Sequence, residues 1–273
     1  MRALALALAL ALALFLPLVA PVGARGAAAP LPRAHAHNDY EHPRPLLDAL
    51  EHGFTSVEAD VWLVDGKLLV AHDAQDLRPD RTLQALYLDP LAARVRANGG
   101  WVHPEPAPFQ LLIDIKSEGG PTYRALAGVL EGYAAMLTTV RDGRVTPGPV
   151  TAVVSGDRPR ELMEGEAVRR AGYDGRLPDL GQGAPATFMP LVSDNWTKTF
   201  TWNGAGPMPE AERARLRAIV ARAHTVGQRV RFWATPDAAG PEREALWREL
   251  EVAGVDHINT DDLAGLRAFL TAE

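Results

Sequence analysis

Two carboxylates, Glu58 and Asp60, stand two residues apart in Val57-Glu-Ala-Asp-Val61, and a third, Asp114, sits in Leu112-Ile-Asp-Ile-Lys116. Side chains two apart on a strand share a face. Glu58 and Asp60 therefore point one way and Val57, Ala59 and Val61 the other; Asp114 shares its face with Lys116, against Leu111, Ile113 and Ile115. Neighbouring carboxylates on an inner face repel each other and lose solvation. A divalent cation relieves both penalties, and hard oxygen donors suit Mg²⁺ or Ca²⁺, with Glu58, Asp60 and Asp114 as ligands. The alternative is an arginine partner for each carboxylate.

Histidines adjoin this set. His35 and His37 share a face in Arg33-Ala-His-Ala-His37, and His72 closes Val70-Ala-His72 before Asp73. At strand ends beside a candidate metal, His37 and His72 form an acid/base pair that titrates near neutral pH. His35 lies deeper on the same face, behind them. Lys116 inside a barrel needs a negative partner, either a substrate phosphate or an internal ion pair with Glu58 or Asp114. Trp233, opposite Phe232 and Ala234, either caps the core or packs on a substrate, and His257, Asn259 and Asp261 form a further column.

Short apolar strands alternate with amphipathic helices, the pattern of a parallel sheet with crossover helices. Strands are expected over 33–37, 55–63, 109–116, 150–155, 191–195, 229–235 and 256–261, with a short one around Gly175-Arg-Leu-Pro178. Asp65-Gly66 predicts a tight turn into a hairpin partner over 67–72. Helices are expected over 45–50, from Asp89-Pro90 to Asn98, from Pro121 to about Leu137, after Pro159, from Pro209 to Gly227, over 242–253 and over 263–270. About eight strand–helix units close most naturally as a (β/α)₈ barrel, though an open doubly wound sheet fits the same pattern. In a barrel, chemistry gathers at the C-terminal strand ends.

The 273-residue chain is 47% hydrophobic with a formal charge of −6 and no cysteine. It can bury a core, so wholesale disorder is excluded. Disulfides, a thiolate nucleophile and cysteine-ligated metals are excluded too. The acidic balance argues against a nucleic-acid partner. Met1-Arg2 followed by an Ala/Leu run and small residues around Ala24 reads as a secretory signal, with cleavage after Ala24 or as late as Ala28. Cleavage after Ala24 would leave about 250 residues, the usual span of such a barrel. The expected mature unit is one domain over 30–273, secreted or periplasmic, with no stable transmembrane segment. An uncleaved N-terminal anchor is the alternative.

Several short motifs in order carry a family resemblance. His37, the stretch from Gly53 to Glu58-Ala-Asp60, the Asp65-Gly66 turn, Val70-Ala-His72-Asp73, Leu112-Ile-Asp-Ile-Lys116, Phe232-Trp-Ala-Thr235 and Gly254-Val-Asp-His-Ile-Asn-Thr-Asp261 resemble the glycerophosphodiester phosphodiesterase superfamily. The similarity runs from about residue 33 to 270. It implies a phosphatidylinositol-phospholipase-C-like TIM barrel. The start His-Ala-His-Asn-Asp-Tyr40 departs from the usual His-Arg-Gly and is similar to a divergent subgroup that includes the fungal altered inheritance of mitochondria protein 6 proteins. Asn38 stands where the family's phosphate-touching arginine would be.

The resemblance implies a phosphoric diester hydrolase acting on a glycerophosphodiester or related lipid-derived phosphodiester. His37 and His72 would be acid and base, and Glu58, Asp60 and Asp114 the metal ligands. Lys116, Asn38 and Trp233 would meet the substrate. Asp114 with Lys116 also resembles sphingomyelinase D-type phospholipases. Two further readings are a barrel that binds without catalysis and an amidohydrolase-type enzyme holding zinc through His35 and His37.

Overall fold

The computed structural model describes residues 28–272, so the expected signal sequence lies outside the described residues. Along the chain, β1 (Leu31–Ala36) and β2 (Phe54–Val64) are followed by β3 (Lys67–Val70), which folds back on β2, and by β4 (Phe109–Ile115). A hairpin of β5 (Thr139–Arg141) and β6 (Arg144–Thr146) precedes β7 (Val150–Gly156). β8 (Val168–Arg169) joins that hairpin. Then come β9 (Ala171–Gly175), β10 (Leu191–Asn195), β11 (Arg229–Trp233) and β12 (Ile258–Thr260).

Eight of these strands run parallel in the order β11-β10-β9-β7-β4-β2-β1-β12. The two ends of that order meet. The backbone N–H groups of Asp256 and His257 donate to the Val230 carbonyl at 3.1 and 3.2 Å, and Arg231 bridges to His257 in parallel. The architecture is a nearly closed (β/α)₈ barrel, as the alternation of elements predicts. Among the described residues its α-helices are α1 (Leu47–Glu51), α2 (Asp89–Ala97), α3 (Gly119–Glu131), α4 (Arg160–Glu164), α5 (Trp196–Thr199), α6 (Glu210–Thr225), α7 (Pro241–Ala253) and α8 (Leu263–Thr271).

Strand alternation divides the apolar residues into two bodies. Val57, Ala59, Val61, Ile113 and Val154 join Leu126 and Leu130 of α3 in the large core between barrel and helices. Leu112, Val153 and Leu191 form a separate, fully buried cluster. They share their face with Asp114, Ser155 and Ser193, so they fill the barrel interior beneath those polar groups.

Several boundaries differ from the sequence expectation. α3 stops at Glu131, because Gly132 and a series of turns carry the chain to the β5–β6 hairpin. That hairpin is short and half-exposed and has no apolar alternation to announce it. The strand expected around 175–178 lies earlier, over Ala171–Gly175. Pro178 forces a single 3₁₀ turn, and the Asp179 carboxylate accepts from Arg176 N at 2.8 Å. β9 is hard to read because Gly172 and Gly175 pack directly on Pro190 and Met189, leaving no room for side chains. α2 is entered through a wide turn over Gln84–Leu88, closed by Asp89 N–H to Gln84 O, ahead of Pro90.

Candidate functional site

β2 and β4 place the carboxylates. Their register sets Asp60 beside Asp114 and Glu58 beside Leu112, so Glu58, Asp60 and Asp114 converge. Each offers an oxygen within 4.8 Å of the others. Asp60 Oδ2 accepts from Tyr40 Oη at 2.6 Å and His72 Nδ1 at 3.0 Å, and lies 3.1 Å from Lys116 Nζ. Asp60 Oδ1 is buried with no partner among the described residues. Lys116 also reaches Asp114 Oδ1 at 3.2 Å. Glu58 Oε2 accepts from Arg231 Nη2 at 2.6 Å.

Three carboxylates thus face two side-chain cations. Burial, and then the charge of Glu58, pushes Asp60 up to about 6 and raises Asp114 as well. Burial would raise Glu58 too, but the adjoining Arg231 guanidinium overrides it and holds this carboxyl well below the usual range. The residual negative charge, the all-oxygen donor set and the unpartnered Asp60 oxygen fit a hard divalent cation. The arginine alternative raised from composition holds for Glu58, whose partner is Arg231. Lys116 has an internal pairing as anticipated, although with Asp60 and Asp114 rather than Glu58.

Both imidazoles of interest stand at the C-terminal mouth. The two-residue turn Asp65-Gly66, with φ of 48° and 77°, returns the chain along β2. Ala71 N–H then donates to Asp60 O at 3.3 Å, bringing His72 beside the acidic group. His37 follows β1, and its Nδ1 lies 2.7 Å from Asp261 Oδ1 after β12. Asp261 is itself fixed by its N–H to Asp237 Oδ2 at 2.7 Å. Because Nδ1 of each ring faces a carboxylate, Nδ1 carries the proton in the neutral form and Nε2 keeps its lone pair. Burial works against charging His37, yet the hydrogen bond it donates to Asp261 and the charge of Glu58 prevail and raise its pKa.

Tyr40 joins the two histidine neighbourhoods. Its hydroxyl is 2.7 Å from Asn38 Oδ1, 2.6 Å from Asp60 Oδ2 and 3.2 Å from His72 Nδ1. Asn38 takes a left-handed conformation (φ 47°) and donates to Asp261 Oδ1 at 3.5 Å. His35 is fully buried, with Nδ1 2.7 Å from Ser56 Oγ and Nε2 3.6 Å from Glu58 Oε2. Burial and Arg231 hold it near 3, so it is a neutral support behind Glu58. The zinc alternative through His35 and His37 finds no support, since the acidic triad is the metal-competent group found among the described residues.

Trp233 lies across the mouth under the Arg176 guanidinium, 4.8 Å from the ring centroid. Arg176 is anchored by Asp174 Oδ2 at 2.7 Å and Ser155 Oγ at 3.1 Å. The structure thus gathers His37, Asn38, Glu58, Asp60, His72, Asp114 and Lys116 around one acidic group, while the contact found for Trp233 is with Arg176. Sequence reasoning missed Tyr40, Arg231 and Arg176, and did not pair Asp261 with His37. Arg231 could have been found, since it shares the face of Trp233 on β11. Tyr40 sits in a 3₁₀ turn where no strand parity applies.

Comparison with known proteins places the chain in a family. Residues 27–174 match the model of the AIM6-like phosphodiesterase domain. The chain belongs to that family. Residues 229–264 also match the glycerophosphoryl diester phosphodiesterase family. Similar relatives include the altered inheritance of mitochondria protein 6 homolog of Arthroderma benhamiae, 30% identical over 88% of this chain and 84% of the relative. Another is altered inheritance of mitochondria protein 6 of Eremothecium gossypii, also 30% identical, over 88% and 69%. Among solved structures, the phosphatidylinositol-specific phospholipase C from Listeria monocytogenes covers 88% of this chain and 84% of its own, at 10% identity and a TM-score of 0.47.

Proposed function

We propose that this AIM6-like domain hydrolyses a small or lipid-derived phosphodiester, such as a glycerophosphodiester, with the help of Mg²⁺ or Ca²⁺. The observation that carries the proposal is the pairing of two carboxylate-backed imidazoles, His37 and His72, around a convergent acidic triad. Glu58, Asp60 and Asp114 would hold the cation, which when bound neutralises charge on a non-bridging phosphoryl oxygen.

The chain's own groups then divide the proton transfers. Nε2 of His72 accepts the proton of a substrate hydroxyl as that oxygen bonds to phosphorus. His37, whose proton is held more tightly than an ordinary imidazole's, gives its Nε2 proton to the departing alkoxide as the second P–O bond breaks. The product is a cyclic phosphate and a free alcohol; water reopens the ring with the two histidines in reversed roles. Lys116 Nζ, already balanced between two carboxylates, would stabilise charge growing on phosphorus. Asn38 and Trp233 are assigned to substrate contact.

Release of alcohol from glycerophosphocholine, glycerophosphoinositol, lysophospholipids and sphingomyelin, assayed with and without chelator, tests the reading. Cation-dependent release from a glycerophosphodiester supports it. Release from sphingomyelin alone would move the substrate to the sphingomyelinase D type. Substrate binding without turnover under any cation would make the domain a binding barrel.

A further inference from the structure

The opposite pole of the barrel carries a second concentration of polar groups. Where the strands begin, a cavity of about 400 Å³ has Arg33, Thr55, His224, Arg229, Asp256 and His257 among its lining residues. His257 is 2% exposed, and neither of its ring nitrogens has a partner among the described residues. The guanidinium of Arg229 enters no hydrogen bond or ion pair among them; its backbone N–H is used by Pro190 O. The neighbouring carboxylate, Asp256, accepts through Oδ2 from Val230 N at 2.8 Å and His224 Nε2 at 2.9 Å. Arg33 gives Nη1 to a neutral acceptor, Glu251 O, at 2.7 Å. Two guanidinium charges therefore share a single carboxylate, which is already engaged.

A half-buried guanidinium that makes no hydrogen bond, beside a carboxylate already engaged elsewhere, leaves its donors free for a ligand, and a buried imidazole without partners is costly. We propose that this pole binds a small oxyanion of the phosphate class, with the Arg229 guanidinium and a ring nitrogen of His257 as its principal contacts. A hydrogenphosphate ion offers acceptor oxygens to the guanidinium and to an imidazole N–H, and its own hydroxyl to an imidazole lone pair. A carboxylate lacks that last donor. Burial and the nearby Arg229 charge keep His257 well below the ordinary imidazole range, so its ring presents one donor and one acceptor. This site shares no residue with the acidic mouth.

Inorganic phosphate titrated calorimetrically into the full, chelator-treated chain tests the site. Saturable binding is expected, weakened about tenfold or more in Arg229→Gln and retained in Lys116→Met, which removes the lysine cation at the mouth. Arg229→Lys should recover part of the loss. Should Arg229→Gln fail to fold, His257→Phe supplies the second variant, and a tungstate anomalous peak beside Arg229 in wild-type crystals the independent measurement. Equal affinity in wild type and Arg229→Gln, loss only in Lys116→Met, or water alone between Arg229 and His257 at millimolar phosphate would overturn the proposal.

Discussion

Two aspartates inside the barrel have contrasting surroundings. Asp174 on β9 is fully buried, and its Oδ2 accepts from Ser155 Oγ at 2.7 Å, Ser193 Oγ at 2.5 Å and Arg176 Nη1 at 2.7 Å. One carboxylate meets one guanidinium and two hydroxyls, and the charge closes. Asp60 on β2 is equally buried but shares its space with Glu58 and Asp114, against Lys116 and Arg231. Each aspartate leaves one oxygen unpartnered among the described residues, so an orphan oxygen alone does not separate them. The charge balance does: a closed pair supports a fold, whereas clustered like charges persist where they serve a ligand.

That contrast is open to direct attack. The largest effect is expected from His72→Ala, which should lower phosphodiester turnover by roughly 10²–10⁴-fold with an unchanged far-UV spectrum. Asp174→Asn should do the reverse. It should destabilise the fold by about 3 kcal/mol or more, because Arg176 loses its buried partner, while the folded fraction keeps its kcat/KM. If Asp174→Asn abolished turnover without loss of stability, the division between the two aspartates would fall.

A smaller effect concerns the cation. Mg²⁺ or Ca²⁺ at a hundredfold excess over its Kd should stabilise the chain by about 2.7 kcal/mol, read as a rise in Tm. Asp114→Asn should remove this response and cost little stability itself, since it relieves repulsion with Glu58. An identical Tm rise in that variant would remove the triad from consideration as the binding site.

Two pH effects complete the series. The raised pKa of His37 places the basic limb of the pH–rate profile above the ordinary imidazole value of 6.5. Asp261→Asn should shift that limb downward, because the ring loses its carboxylate. Asp39 is a third kind of buried carboxylate, meeting only neutral donors: Leu46 N at 2.6 Å and Tyr87 Oη at 2.9 Å. Burial pushes it up to about 7 from 3.8. The folded state therefore binds a proton that the unfolded chain has released between those values, and stability falls as pH rises from about 4 to about 7. Asp39→Asn should flatten that part of a denaturant-midpoint versus pH curve; an unaltered slope would show that Asp39 is ionised throughout.

Much of the site was legible along single strands. The alternation of β2 and β4 set Glu58, Asp60, Asp114 and Lys116 on inward faces, and the hairpin turn at Asp65-Gly66 announced the return of His72. The barrel itself could be read from the strand–helix rhythm. β9 could not, because its two glycines contribute close backbone packing rather than side-chain alternation, and the β5–β6 hairpin lacks a buried face. Tyr40 escaped because its position depends on a turn.

The amino-acid order by itself determined which side chains share a strand face, since the two-residue period of extended backbone is local geometry. Closure of the barrel decided the partners: Arg231 with Glu58 across 173 residues, and Asp261 with His37 across 224. Whether a buried carboxylate ends up neutralised or in an unbalanced group depends on charges delivered by distant strands, and Coulomb energy depends on distance in space, which sequence separation does not encode.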